Sequence, residues 1–349
     1  MTSIRRSPRK PAISLALAAL AVLAAGCGND DRAASGGSDD DAMICVDFPR
    51  SDTDFWNAFI DYIPKYADEQ GLNIQTTNSE NDVQKLVENI DTCVAQGARA
   101  IVMAPQDTAA IAPTLERLAS EDIPVVTLDT RPDEGAVAMV VRADNVALGT
   151  QACEYLGEQM GGEGTAVQLM GGQDSINGRD RATGFEECMS ENFPNIKVIS
   201  QPSEWDGDKA ASQLQTVLQQ DPNVRGVYMA SSFALAGTQQ VLARNDLDVP
   251  ADDPKHVFVV SNDGIPQEYA DIRDGKLDAT VSQPADLYAK YGLLYAKAAI
   301  DGETFESGAT DHDSTIVEVR DGVLEDQLPS VLVTSENVDD DSLWGNNLD

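Results

Sequence analysis

The chain is poor in several things that chemistry usually needs. It has only two histidines, His256 and His312, in 349 residues. Neither lies near a serine or cysteine motif, so no nucleophile with a positioned imidazole base is legible. The five cysteines show no CxxC or Cys/His spacing, and no metal and no cofactor are expected. An enzyme is therefore not expected. Basic residues are also scarce: 24 Lys and Arg stand against 59 Asp and Glu, for a net charge of −35. A surface of that sign repels phosphate backbones and excludes nucleic acid as a partner. "GEGTAVQLMGG", Gly162 to Gly172, is not followed by the Lys-Ser/Thr of a phosphate loop. Gly171 and Gly172 read instead as a tight turn. Aromatic residues make up only 5% of the chain. Against that scarcity "SDTDFWNAF", Ser51 to Phe59, sets Phe55 and Trp56 side by side at the start of a helix pattern. Neighbours on a helix point about 100° apart, so both cannot face one core squarely.

Long apolar runs are missing too. The one candidate, Ala12 to Ala25, is too short for a comfortable membrane span. Arg5, Arg6, Arg9 and Lys10 precede it and Gly26-Cys27 follows, which is the order of an export signal. It resembles a bacterial lipoprotein signal, with residues 1–26 removed and Cys27 lipidated, although Ala24 holds a place where Leu is usual. Residues 27–41 are rich in Gly, Ser and Asp without apolar periodicity, a flexible tether. Without the four basic residues of the signal the charge is −39. The expected location is the extracytoplasmic face of the cell membrane, held by lipid alone. Cys45, Cys93, Cys153 and Cys188 then sit in an oxidising compartment, and four cysteines allow three pairings.

From Ala42 onward short apolar runs alternate with amphipathic ones. "MICVDF", "LNIQTT", "ARAIVMAP", "IPVVTLD" and "GAVAMVV" read as strands, and "FWNAFIDYIPKYADEQG" as a helix that Pro64 should kink. The alternation then restarts with "TAVQLMGG", "IKVISQ", "VRGVYMA", "HVFVVSND" and "LDATVSQ" as strands. Near-continuous apolar strands separated by helices imply parallel sheets covered on both faces. Two such series imply two α/β lobes, with a ligand cleft beyond the carboxyl ends of the strands.

"DFWNAF", "GARAIVMAPQDTAAI", "IPVVTLDT", "ADNVALGTQACEYL", "RDRATGFEE", "QPSEWDGDKA" and "NDGIPQEYADIRDGKLDATVSQ" occur in this order. With them the chain from Met43 to about Val333 resembles the periplasmic sugar-binding proteins of the ribose-binding type, substrate-binding components of ABC importers. The resemblance implies two doubly wound parallel-sheet lobes joined by a three-crossing hinge, the type I periplasmic binding protein fold. It implies that Phe55 and Trp56 stack on a sugar ring, with Trp205 as a third aromatic. It implies that Asp129 and Asp263 accept from hydroxyls, that Arg179 donates, and that Gln283 contributes near a crossover. Thr130 and Arg131 follow the first Asp where Arg directly after it is common. Ser231 stands where Asn is common, and Gly207 where a basic residue is common. These departures imply a pocket roomier or less polar than a ribose site.

The lobes expected are 42–143 with 284–312, and 144–283 with 313–349. The crossings are expected near Asp144 and Asn145, at Gln283–Pro284, and near His312. Cys45 with Cys93 and Cys153 with Cys188 then fall one pair to each lobe, which leaves hinge motion free. The function implied is capture of a small hydroxylated ligand, foremost a monosaccharide, by a monomeric lipoprotein that delivers it to an ABC permease. The alternatives are a sensory binding protein of the same fold, or a polyol or nucleoside as ligand.

Overall fold

The computed structural model describes residues 42–348. The export signal, Cys27 and the tether expected at 27–41 lie outside the described residues. The first series runs β1 (Met43–Phe48), α1 (Asp54–Gln70), β2 (Asn73–Asn78), α2 (Val83–Ala95), β3 (Ala100–Met103), α3 (Ala112–Ser120), β4 (Val125–Leu128) and β5 (Met139–Ala143). The second runs α4 (Asn145–Gln159), β6 (Gly164–Met170), α5 (Ile176–Asn192), β7 (Ile196–Pro202), α6 (Gly207–Gln220), β8 (Val224–Met229), α7 (Leu235–Arg244), β9 (Phe258–Asp263), α8 (Pro266–Arg273) and β10 (Ala279–Ser282). Then come α9 (Ala285–Ile300), β11 (Gly308–Ala309), β12 (Thr315–Arg320), β13 (Val323–Leu328) and β14 (Val331–Val333).

The strands form two sheets. One has the order β11-β12-β13-β5-β4-β3-β1-β2 and the other β14-β10-β9-β8-β6-β7. Within each, the first five strands of the series repeat a single order, second-first-third-fourth-fifth, all parallel. This doubly wound arrangement places a ligand crevice where the strand order reverses, beyond the carboxyl ends. β1, β3, β4 and β5 are buried almost throughout, as parallel strands covered on both faces must be.

Four helices, α1, α2, α4 and α6, begin where a short polar side chain supplies the missing acceptor. Thr53 Oγ1 accepts from the Trp56 amide at 3.4 Å, and Asp82, Asp144 and Asp206 cap α2, α4 and α6 in the same way. Gly71 ends α1 in the left-handed conformation at φ 66°. Pro64 does not break α1, which runs unbroken through it. Phe55, Trp56, Phe59, Tyr62 and Ile63 are buried along that helix. Their burial outweighs the cost of roughly 3 kcal/mol for an interior proline.

Three crossings join the lobes. The chain leaves the first sheet at Ala143 and enters α4, and it leaves the second at Ser282 and enters α9, which packs on α1, β3, β4 and β5. The third crossing is not near His312. β12 and β13 belong to the first sheet, where β13 pairs in parallel with β5, and only β14 joins the second, beside β10. That crossing therefore falls at Pro329-Ser330, and residues 313–328 belong to the first lobe. Asp321-Gly322, with Gly322 at φ 70°, makes the two-residue turn between β12 and β13. Leu328 pairs with Ala143, and Ser282 with Val331, so the three crossings lie side by side.

Both disulfides lie within a lobe. Cys45 of β1 joins Cys93 of α2 and closes a separation of 48 residues; Cys153 of α4 joins Cys188 of α5 across 35. Replacing either pair by serine should lower unfolding stability by about 4 kcal/mol, the loop-closure magnitude. Denaturant titration of each double variant checks this; no loss of stability would mean that the bridge constrains nothing in the unfolded chain.

His256 pins the segment before β9. Its Nδ1 lies 2.7 Å from the Val249 carbonyl and its Nε2 3.0 Å from Asp278 Oδ1. Two acceptors ask for two donors, which only the imidazolium supplies. The bond to Asp278 raises the His256 pKa, and burial opposes it less strongly. The stabilisation is complete below the unfolded value of about 6.5 and is lost as pH rises through the higher folded value. The melting-temperature gap between wild type and His256→Gln should therefore be largest on the acid side of neutrality and narrow above it. A gap that is constant with pH would refute this.

Candidate functional site

The loops at the carboxyl ends of both sheets converge on one cleft. Arg50, Thr53, Phe55, Trp56, Gln106, Asp129 and Thr130 line it from the first lobe. Ser175, Asn177, Arg181, Trp205, Ser231, Phe233, Asp263 and Gln283 line it from the second lobe and its crossing. The cavity volume is about 40 Å³, so in this conformation the walls of the cleft stand close together.

Cap position explains the paired aromatics. Because Thr53 starts the helix, Phe55 and Trp56 fall in its first turn, at the mouth of the cleft. Both also belong to the buried apolar cluster. Phe55 meets Trp56 edge-on at 5.3 Å between ring centroids, and Trp56 meets Phe59 at 5.0 Å. They serve as floor of the cleft and roof of the core together. Trp205 forms the opposing wall, edge-on to Phe233 at 5.7 Å, with the Arg181 guanidinium 5.9 Å from its ring centroid.

Gly171 and Gly172 do more than turn the chain. A Cβ on Gly171 would come within 2.1 Å of the Trp205 ring, and one on Gly172 within 2.6 Å of its Nε1. The indole therefore lies on bare backbone. Trp205 itself holds a left-handed conformation at φ 58°, costly for so bulky a residue. Asp129 (φ 59°) and Asp263 (φ 126°) are likewise in positive-φ backbone. Strain at three cleft residues is the kind of cost that folds concentrate at functional sites.

The polar groups are pre-arranged. Asp129 Oδ2 accepts from Thr130 Oγ1 and from Asn177 Nδ2, each at 2.8 Å. Asp263 Oδ2 accepts from Ser231 Oγ and Ser232 Oγ at 2.6 Å and from the Ser232 amide at 2.9 Å. Its Oδ1 accepts from Gln283 Nε2 at 2.7 Å. Arg181 is buried; Nε donates to Asn145 at 2.7 Å, Nη1 to the Ala230 carbonyl at 2.7 Å, and Nη2 to Gln283 at 3.1 Å. Burial pushes the Asp129 carboxyl up, and the Arg181 charge opposes it. Asp129 Oδ1, Asn177 Oδ1 and Trp205 Nε1 are buried and find no protein partner among the described residues. Nine further buried side-chain atoms among the described residues also have no protein partner, but these three share one cleft, where an incoming molecule can satisfy them together.

Eight expected residues meet in the cleft: Phe55, Trp56, Asp129, Thr130, Trp205, Ser231, Asp263 and Gln283. Two do not. Arg131 turns away to pair with Glu325 at 3.1 Å. Arg179 pairs at the lobe boundary with Asp133 at 2.5 Å, and the guanidinium in the cleft is that of Arg181. Two residues on a helix differ by about 200°, so only one of the pair faces inward. The buried stripe of α5, Gly178, Ala182, Phe185 and Met189, carries Asn177 and Arg181 with it; that spacing is the signal that distinguishes them. Asp144 caps α4, and Asn145 bonds Arg181, so the first crossing touches the site. Arg50, Thr53, Gln106, Ser175 and Phe233 belong to irregular loops and left no periodic trace.

Two α/β lobes of one strand order, with a strained aromatic and polar cleft between them, define a hinged small-molecule-binding protein. Residues 44–304 match the model of the periplasmic binding protein domain, and the chain belongs to that family, with the type I fold. It is 27% identical over 254 residues to the ribose import binding protein of Salmonella typhimurium, covering 72% of this chain and 83% of the relative. It is 29% identical to the D-allose-binding periplasmic protein of Escherichia coli, covering 66% of this chain and 74% of that one. A solute-binding protein of an ABC transporter from Bacillus halodurans, solved with myo-inositol, superposes with a TM-score of 0.75. It shares 19% identity, with 88% of this chain and 98% of that one covered. These relatives are binding proteins, not enzymes. No helix among the described residues is long and apolar enough to cross a membrane.

Arg181→Lys should weaken ligand binding at least thirtyfold, because a buried charge network loses its planar fork, a change of about 2 kcal/mol or more. Arg179→Ala should change affinity less than about fivefold, as expected of a half-exposed pair. Calorimetric titration of both variants with the ligand of the wild type checks the pair. The reverse ranking would return the role to Arg179.

Proposed function

We propose that this protein captures a small ring-shaped polyhydroxylated ligand, foremost a monosaccharide, and hands it to the permease of an ABC importer. The carrying observation is the set of unpartnered buried atoms, Asp129 Oδ1, Asn177 Oδ1 and Trp205 Nε1, set between aromatic walls. A sugar ring offers C–H faces to Trp56 and Trp205 and a rim of hydroxyls to the acceptors. Asp129, Asp263 and Gln283 take the rim, Arg181 donates, and Thr130 and Ser231 hold the two carboxylates in place. Ligands named for the relatives, ribose, D-allose and myo-inositol, share this chemistry. The basic residues, apolar run and Gly26-Cys27 support anchoring by lipid on Cys27 at the extracytoplasmic face.

Thermal-shift screening with D-ribose, D-allose, myo-inositol, xylitol and adenosine tests the class, followed by calorimetry of every ligand that raises the melting temperature. A sugar or cyclitol should bind in the micromolar range or tighter. Trp205→Ala should weaken it by about 1–3 kcal/mol, the magnitude of ring stacking on an aromatic. The ligand-free melting temperature should hardly move, since Trp205 lies on the cleft wall. Adenosine as the sole binder would replace the sugar reading with a nucleoside one.

A further inference from the structure

The C-terminal segment packs against the back of this site a residue that no family motif in the sequence marks. After β14 the chain continues along the second lobe and ends a short 3-10 turn at Trp344–Asn346. Trp344 is buried at 3% exposure, with partners in both lobes. Its indole Nε1–H donates to the Asp263 carbonyl at 3.3 Å. Its ring meets Phe55 edge-on at 6.1 Å between centroids, and its own carbonyl accepts from the Tyr62 hydroxyl at 3.2 Å. Gly345 presses on the same turn: a Cβ there would lie 2.3 Å from the Gly264 carbonyl oxygen.

Asp263 and Gly264 form the strained end of β9, at φ 126° and 81°. Among the described residues the Asp263 carbonyl accepts from two donors, the Gln283 amide at 3.2 Å and Trp344. Trp344 thus clamps the backbone that aims a cleft carboxylate. On its other side it backs Phe55 and bonds Tyr62, both on α1 of the first lobe. A rotation of the lobes about the crossings must pull α1 away from a residue that stays with the Asp263 turn.

We propose that Trp344 is a positioning residue of the cleft, holding the Asp263 turn of the second lobe in its strained conformation and bracing it against α1 of the first. This rests on the cleft being the ligand site, and it adds the C-terminal tail to the non-covalent links between the lobes.

The test uses the ligand-free mature protein, so it is independent of the sugar screen. Trp344→Phe keeps a ring beside Phe55 and removes the donor; Tyr62→Phe removes only the bond on the first lobe. In hydrogen exchange read by mass spectrometry, Trp344→Phe should speed exchange about tenfold at Asp263–Ile265 and Ser282–Gln283, the scale of one lost buried hydrogen bond. Strands β1 and β3 should exchange as in the wild type. Tyr62→Phe should leave Asp263–Ile265 unchanged. Small-angle scattering should show both variants more extended than the wild type. Unchanged exchange at the Asp263 turn overturns the clamp, and unchanged scattering in both variants overturns the brace. Faster exchange spread evenly over the whole protein would make Trp344 an ordinary core residue and overturn both.

Discussion

One guanidinium organises the region where the lobes meet. Arg181 bonds Asn145 at the first crossing, Gln283 at the second, and the end of β8 through the Ala230 carbonyl. Through Gln283 it reaches Asp263, whose carboxylate is the best-held acceptor in the cleft. A charge buried this deeply is tolerable only when most of its donors are used. Arg181 therefore fixes the geometry of its surroundings as much as they fix it. The same residue that lines the cleft is thus bonded to two of the crossings between the lobes.

The first turns of α5 extend this logic. Asn177 bonds Asp129, Arg179 pairs with Asp133, and Asp180 pairs with Arg142, all in the other lobe. Arg142 is itself buried and shares Glu325 with Arg131. The first turns of α5 thus carry several of the polar contacts between the lobes, beside the Tyr62–Trp344 and Thr108–Asp174 bonds, while apolar contacts come from Phe55 and its neighbours. Polar contacts of this kind are sensitive to a fraction of an ångström, and apolar ones are not. Alignment of the closed cleft accordingly falls to α5, and the area buried falls to α1.

Strand and helix order were legible because central parallel strands covered on both faces must be largely apolar, as β1, β3, β4 and β5 are, while the edge strands β2 and β7 are polar and half-exposed. Both disulfide pairings could be reasoned from which elements share a lobe. What misled was phase. "GRDR" offers two arginines, and only the buried stripe of α5 says which turns inward. "VRDGV" marks a hairpin by Asp-Gly, yet which sheet that hairpin joins is decided by β5, more than a hundred residues earlier. Trp344 had no local signal at all. Its partners, Tyr62 and Asp263, are 282 and 81 residues away in sequence, and contacts of that range leave no periodicity to read.

The interleaving of the first sheet bears on how the chain is made. β13 lies beside β5, and α9 covers β3, β4 and β5, but both are synthesised after residues 145–283 of the second lobe. A chain threaded into an oxidising compartment from its amino end completes 145–283 while the first lobe still has an open sheet edge and an uncovered face. Cys45 and Cys93 can already be joined then, and Cys153 and Cys188 soon after. Both lobes are therefore finished only on arrival of the last few dozen residues, which supply β13 to the first sheet and β14 to the second. During that interval the edges of β5 and β10 are both bare, and each is a template on which a wrong strand can pair.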